Sequence, residues 1–203
     1  MIKNILFDWS GTLMDDVTAT HKATSHIFKS LGGTPMSLDD HKTKFFLPFM
    51  DFWKQQFPNC TQDQISGLFL EGLDLAGDAE LYPNIESVLE NLKKKGINMA
   101  IMSSHPQEKL VSYINHFGLS EYFGEIYGSV QNKTEVFPGI LEENEFKPEE
   151  TMYVGDMVHD IEAAQNAGAI SVAITWGHQP EEMLKAQKPD YLISNLSELE
   201  SLL

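Results

Sequence analysis

Cysteine is almost absent. Cys60 is the only one in 203 residues, so no disulfide can form within the chain, and a reducing compartment suits it. It reads as a structural or exposed thiol and not as a nucleophile. Basic residues are scarce, with 14 Lys plus Arg against 30 Asp plus Glu and a formal charge of −16. That balance repels nucleic acid and anionic membranes at long range, so neither is expected as a partner. No apolar run nears the roughly 18 residues that cross a bilayer, and the N-terminus opens as a strand where a leader would be basic and apolar. The expectation is a soluble, cytoplasmic protein. None of the seven histidines pairs at His-x-x-x-His spacing, which removes a transition-metal site on a helix. Repeats and low-complexity tracts are missing too, while 42% hydrophobic residues suffice for a full core.

What is present is an alternation. Apolar strand-like runs at 5–7, 99–102, 127–128 (weak), 152–154, 172–175 and 191–193 are separated by amphipathic helical stretches, the order of a parallel sheet wrapped by helices. The first run shows no polar alternation and predicts a strand buried on both faces. Ile85, Val88, Leu89 and Leu92 recur at helical spacing up to Gly96. Leu110, Ile114 and Phe117 do so up to Gly118, and Ile161, Ala164 and Ala167 up to Gly168. The segment from about 15 to 81 breaks the alternation. It offers helical patterns alone, starting at Asp16 and at the Thr61-x-x-Gln64 capping box and stopping at Gly32-Gly33 and Gly77. It is expected to be a helical insertion.

Polar residues collect where strands end. Asp8 follows the first strand in ILFDWSGT, Ser103 and Ser104 follow Ile101-Met102, Lys133 follows the weak strand, and Asp156 ends MYVG with Asp160 one helical turn on. Each has a plain structural explanation by itself. Asp and Gly after a strand are turn residues, Ser104 can cap the helix begun by His105 and Pro106, and an isolated lysine is usually solvated. On one edge of one sheet, however, they make a ligand crevice. Converging carboxylates repel unless a cation intervenes. Magnesium takes one or two carboxylates, a carbonyl and waters, and leaves positions for phosphate oxygens. The cluster Phe45, Phe46, Phe49, Phe52, Trp53 and Phe57 fits either a substrate slot or the insertion's own core. His159 is expected in the first turn of a helix at the pocket edge.

In order and spacing, DWSGT (8–12), AIMSS (100–104), Lys133 and GDMVHD (155–160) resemble the four motifs of the haloacid dehalogenase superfamily. VAITWG (172–177), KPDYLI (188–193) and the stretch 81–96 resemble its phosphoglycolate phosphatase-like branch. The resemblance implies an α/β, three-layer Rossmann-like core from residues 1–14 and 82–203, with a small all-helical cap domain at 15–81. It implies a phosphatase acting on a small phosphorylated substrate, as a monomer or homodimer. Asp8 would be the nucleophile that forms an aspartyl phosphate. Magnesium would be held by Asp8, the Ser10 carbonyl and Asp156. Ser103, Ser104, Lys133 and Trp9 would bind phosphate, with Thr12 and Asp160 in support.

Ser10 departs from the pattern. Phosphatases of the family carry there a second aspartate that protonates the leaving alcohol and then activates water. A serine hydroxyl does neither near neutral pH, although its carbonyl still serves a metal. Three readings stay open. The first is a magnesium-dependent phosphatase that is slow, or whose substrate has a good leaving group or supplies its own proton relay. The second is a phosphonatase, whose DWAGT is close to DWSGT. That branch needs a cap lysine, whose place falls near Phe49, with Lys42, Lys44 and Lys54 out of register. The third is a non-catalytic member that binds a phosphorylated ligand or a protein.

Overall fold

The protein was analysed as a computed structural model that describes residues 1–77 and 79–203. In chain order, β1 (Asn4–Phe7) and the short β2 (Met14–Asp15) lead into four helices, α1 (Val17–Ser30), α2 (Leu38–Lys44), α3 (Phe49–Gln56) and α4 (Gln62–Ala76). The chain returns through β3 (Glu80–Leu81), α5 (Ile85–Lys94), β4 (Asn98–Met102), α6 (Gln107–His116) and β5 (Glu125–Tyr127). It ends with α7 (Lys133–Glu143), β6 (Thr151–Gly155), α8 (Val158–Ala167), β7 (Ile170–Ile174), α9 (Glu181–Ala186) and β8 (Tyr191–Ile193).

Six of the strands form one parallel sheet in the order β5-β4-β1-β6-β7-β8. β1 lies between β4 and β6 and is buried along its whole length, because Ile5, Leu6 and Phe7 must face helices on both sides. On one face Ile5 and Phe7 pack with Leu89 of α5 and Ile114 of α6. On the other, Leu6 and Tyr153 pack with Phe137 of α7 and Ala164 of α8. The result is three layers. The chain leaves β1 toward β4 on one side and reaches β6 on the other, so a crevice opens at the carboxyl end of β1.

The expected strands are all present with small shifts. The weak one occupies Glu125–Tyr127 and excludes Gly128, and β7 runs from Ile170 to Ile174 without Thr175. The segment between β2 and β3 holds the four helices α1–α4, and its aromatic residues form a cluster of their own around Phe28, Phe52, Trp53 and Ile65. Asp78, which falls within the expected 15–81 boundaries, lies outside the described residues. β2 and β3 pair antiparallel, Met14 against Leu81 and Asp15 against Glu80, so the outgoing and returning chains run side by side. Thr61 starts α4 as expected, its hydroxyl accepting a bond from the Gln64 N–H at 3.3 Å. Asp16 starts α1 as expected. It sits at the N-cap of α1, but its side chain makes no capping bond there.

Candidate active site

The loop after β1 turns sharply. Gly11 adopts φ of +73°, and a Cβ there would overlap His178 and the Asp156 carboxylate, so only glycine lets the loop lie against these groups. The Trp9 carbonyl accepts bonds from the N–H groups of Thr12, Leu13 and Met14 at 3.0–3.2 Å. Asp8 is thereby held at the end of β1, nearly buried, facing the cavity with Ser10. The Trp9 ring joins the hydrophobic core and is not among the cavity's lining side chains, which leaves its backbone amide as the group able to meet an anion.

Three elements bring charge to Asp8. Lys133 opens α7, fully buried, with Nζ 3.1 Å from Asp8 Oδ1 and 2.6 Å from Asp160 Oδ1. Asp160 has both oxygens engaged. Oδ2 accepts from the N–H groups of Asp156 and Met157 at 3.1 and 2.9 Å, and Oδ1 meets Lys133 and the Tyr153 hydroxyl. It therefore anchors the start of α8 and fixes the lysine. Asp156, at the end of β6, accepts from the Thr12 hydroxyl at 3.1 Å and from the His178 backbone N–H at 2.5 Å, with His178 Nδ1 2.9 Å away. Gly177 permits this approach, because a Cβ there would also overlap the carboxylate.

Burial and charge set the protonation states. Burial pushes Asp8 up to about 7, Lys133 opposing this while Asp160 and Asp156 add to it. Burial also raises Asp156, but His178 outweighs it and holds the carboxyl below its usual range. His178 in turn, which burial alone would depress, is raised to about 9 by Asp156, Asp16 and Asp8. Lys133 stays charged because Asp160 and Asp8 outweigh its desolvation.

Oxygens of Asp8, Asp156 and Asp160 come within 4.8 Å of one another, and all three residues are buried. Beyond the Lys133 ammonium at 3.1 Å, Asp8 Oδ1 has no hydrogen-bond donor despite burial. An all-oxygen donor set in which Asp8 meets a single cationic partner fits a hard divalent cation. Asp160 is held by Lys133, Tyr153 and two backbone N–H groups, and Asp156 by Thr12 and His178, so a cation between Asp8 and Asp156 would share the Asp156 carboxylate with those donors.

Ser103 is fully buried, hydrogen-bonds Asp8 and accepts from the His105 N–H at 3.3 Å. Ser104 lines the cavity, and the first turn of α6 is capped from outside by Ser129, whose hydroxyl accepts from the Gln107 N–H at 3.0 Å. His159 does not line the cavity. Its Nε2 accepts from the Lys133 N–H at 3.1 Å and so positions the start of α7. Two residues escaped the sequence reading. His178 lies in the loop after β7, where no titratable partner is near in sequence. Asp16 was taken for a helix start. Its Oδ2 accepts from the Ser10 hydroxyl at 2.7 Å and its Oδ1 from the Gly11 N–H at 2.8 Å. Burial raises it to about 6. The signal for Asp16 was the adjacent acid pair Asp15-Asp16 just past the glycine turn.

Between this polar edge and α1–α4 lies a cavity of about 260 Å³. The sheet side contributes Asp8, Ser10, Ser104, His105 and His178, and the helical side contributes Phe45, Leu47, Phe49, Phe69 and Leu70 with Thr20, Gln62 and Ser66. The aromatic cluster thus divides. Phe52 and Trp53 are buried in the helical core, whereas Phe45 and Phe49 reach the cavity.

The profile of the haloacid dehalogenase-like hydrolase family matches residues 5–174. A phosphoglycolate phosphatase of Vibrio parahaemolyticus is 28% identical over 98% of this chain and 94% of its own length. Another, of Synechococcus elongatus, is 26% identical over 96% and 94%. The solved structure of the haloacid dehalogenase-like family hydrolase SP0104 from Streptococcus pneumoniae superposes with a TM-score of 0.81 at 26% identity, covering 99% of this chain and 98% of that one.

Proposed function

The chain belongs to the haloacid dehalogenase-like hydrolase family, and from that premise we propose a magnesium-dependent phosphatase that works through an aspartyl phosphate at Asp8, with residues 15–81 as a cap over the site. The observation that carries this reading is the buried ion-pair chain Asp8–Lys133–Asp160 beside Asp156. It sets the Asp8 carboxylate, which lines the cavity, beside a buried cation that an incoming phosphate would also meet. Magnesium bound to Asp8, Asp156 and the Ser10 carbonyl would neutralise charge on the transferring phosphoryl group.

Asp8 attacks phosphorus, the P–O bond to the alcohol breaks, and the alcohol leaves with the Ser10 hydroxyl proton as protonated Asp16 returns its own to Ser10 Oγ. Lys133 keeps the Asp8 carboxylate oriented and charged, while Ser103 and the backbone amides of Trp9 and Ser104 hold the phosphoryl oxygens. Water then attacks phosphorus, the bond to Asp8 breaks and inorganic phosphate departs, restoring the carboxylate. The water must lose a proton. Ser10 alone is no base, but its hydroxyl donates to Asp16 at 2.7 Å. A proton accepted by Ser10 Oγ as its own passes to Asp16 completes the step. The missing acid/base is thus supplied by a hydroxyl–carboxylate pair.

The relatives' phosphoglycolate makes that compound the first substrate to try. The phosphonatase reading finds no support in the cavity, where no lysine stands among the described lining residues and Phe49 does. The test is phosphate release from a panel of phosphorylated metabolites, phosphonoacetaldehyde included, with and without magnesium. Release that needs the metal and disappears in Asp8→Asn is expected. Release unaffected by that substitution would overturn the reading.

A further inference from the structure

The two walls of the cavity differ in charge. Among the described residues, every ionisable lining group, Asp8, His105 and His178, comes from the sheet side. His178 is spent on Asp156 at the metal end, and His105 is kept neutral, burial and Lys109 pushing it down to about 4. Among the described residues, the helical wall supplies eight lining residues and none is ionisable. Five are apolar, and the remaining three offer a hydroxyl or an amide.

The cations that a second anionic group would need are elsewhere. The chain contains no arginine at all, so the planar fork that best grips a carboxylate or a second phosphate is unavailable. Lys133 is buried between two carboxylates. Lys42, the lysine through which the helical segment reaches the sheet side, donates to the Gly177 carbonyl at 3.3 Å. A leaving group with its own negative charge would be desolvated against Phe49 and Phe69, whose rings sit 5.5 Å apart edge to face, with no partner.

We propose that the substrate is the phosphate monoester of a compact, uncharged and mainly apolar alcohol, aromatic or branched, whose body packs on Phe45, Phe49, Phe69 and Leu70. This rests on the phosphatase reading and narrows it, since it excludes glycolate and phosphate as leaving groups. A volume of about 260 Å³ suits one ring with its phosphate and nothing as large as a nucleotide. Hydrophobic pockets discriminate by about 10- to 200-fold for small apolar increments, and unpaired charge widens the gap.

The experiment measures kcat/KM of the purified protein with magnesium for benzyl phosphate, 2-phosphoglycolate and pyrophosphate, and in parallel the binding of benzylphosphonate and phosphonoacetate by calorimetry. Benzyl phosphate is expected to exceed each dianionic competitor at least tenfold, and benzylphosphonate to bind at least tenfold tighter than phosphonoacetate. In Phe49→Lys, or Leu70→Lys should that variant not fold, the benzyl phosphate to phosphoglycolate ratio should fall tenfold or more. Preference for phosphoglycolate or pyrophosphate would overturn this inference and leave the phosphatase reading standing. If nothing is turned over, the phosphatase reading fails instead. The two phosphonates then decide, with tighter benzylphosphonate binding upholding the apolar wall and equal or weaker binding overturning it.

Discussion

One wall of the cavity rests on a network of buried charges fixed by the ends of β1, β6 and α7, and the other is a neutral, largely aromatic face from α3, α4 and the loop before α3. The first wall tolerates little change, because each charge is the desolvation partner of another. Removing one member leaves the rest buried and unpaired. The second wall is held by dispersion and shape, and its members can be exchanged at modest cost. Fixed reaction chemistry and adjustable substrate choice are thereby assigned to different parts of the chain.

The comparison breaks most completely at Asp8. Asp8→Asn is expected to lower phosphate release by at least about 10³-fold, because the proposed nucleophile is lost and the proposed metal site loses a ligand. A colorimetric phosphate assay reads this directly. Next comes the lysine. Lys133→Ala leaves Asp8 and Asp160 buried without their counter-ion, and should cost about 3–5 kcal/mol in denaturant unfolding. A loss below about 1 kcal/mol would mean that the network is not load-sharing.

A smaller effect should appear at Ser10 and Asp16. Asp16→Asn is expected to slow decay of the aspartyl phosphate by about 10- to 100-fold, so an aryl phosphate should give a burst followed by slow turnover. Ser10→Asp by itself would set a second carboxylate against Asp16, whose oxygen lies 2.7 Å from the present hydroxyl. That single variant should be less stable than its parent. The exchange Ser10→Asp with Asp16→Ser keeps one hydroxyl and one carboxylate in contact and should recover at least parental turnover. An exchange variant slower than Asp16→Asn would remove this pair from the mechanism.

The smallest effect sharpens the neutral wall. His41 is buried and stacked on Phe45 at 4.8 Å with both ring nitrogens unpartnered, and burial, with His178 and His21, pushes it down to about 3. The unfolded chain therefore binds the proton that the fold refuses. The stability contributed by this group is complete above the unfolded value of about 6.5 and is lost as pH falls toward 3. His41→Phe should flatten that acid limb by roughly 1 kcal/mol per pH unit between 6 and 4, and leave pH 7.5 stability unchanged or improved. An unflattened limb in thermal melts would place the acid sensitivity elsewhere.

How much was legible in the sequence follows from how local each signal is. The parallel sheet was readable because Ile5-Leu6-Phe7, Met152–Val154 and their like are unbroken apolar runs, and burial on both faces leaves no room for polar alternation. Asp8, Lys133, Asp156 and Asp160 were readable because each follows a strand by a short fixed count, and strands of one parallel sheet share an edge. The contact of Asp16 that the sequence did not show has the opposite origin. An aspartate before a helix has two partners within reach, the helix N–H groups and the preceding turn, and nothing in the local pattern says which it takes. The tight turn at Gly11 brought Ser10 nearer.

The amino-acid order by itself determined the strands, the helical insertion and the set of carboxylates, since these follow from periodicity and spacing along the chain. Tertiary structure alone decided three things. It turned Phe45 and Phe49 to the cavity and Phe52 and Trp53 to the helical core. It laid His178 on Asp156 across 22 residues of sequence, and it gave Ser10 a carboxylate partner in Asp16. Each is a choice between contacts that are equally close in sequence or equally far, and only packing in three dimensions, where one arrangement buries its polar atoms with partners and the other does not, makes it.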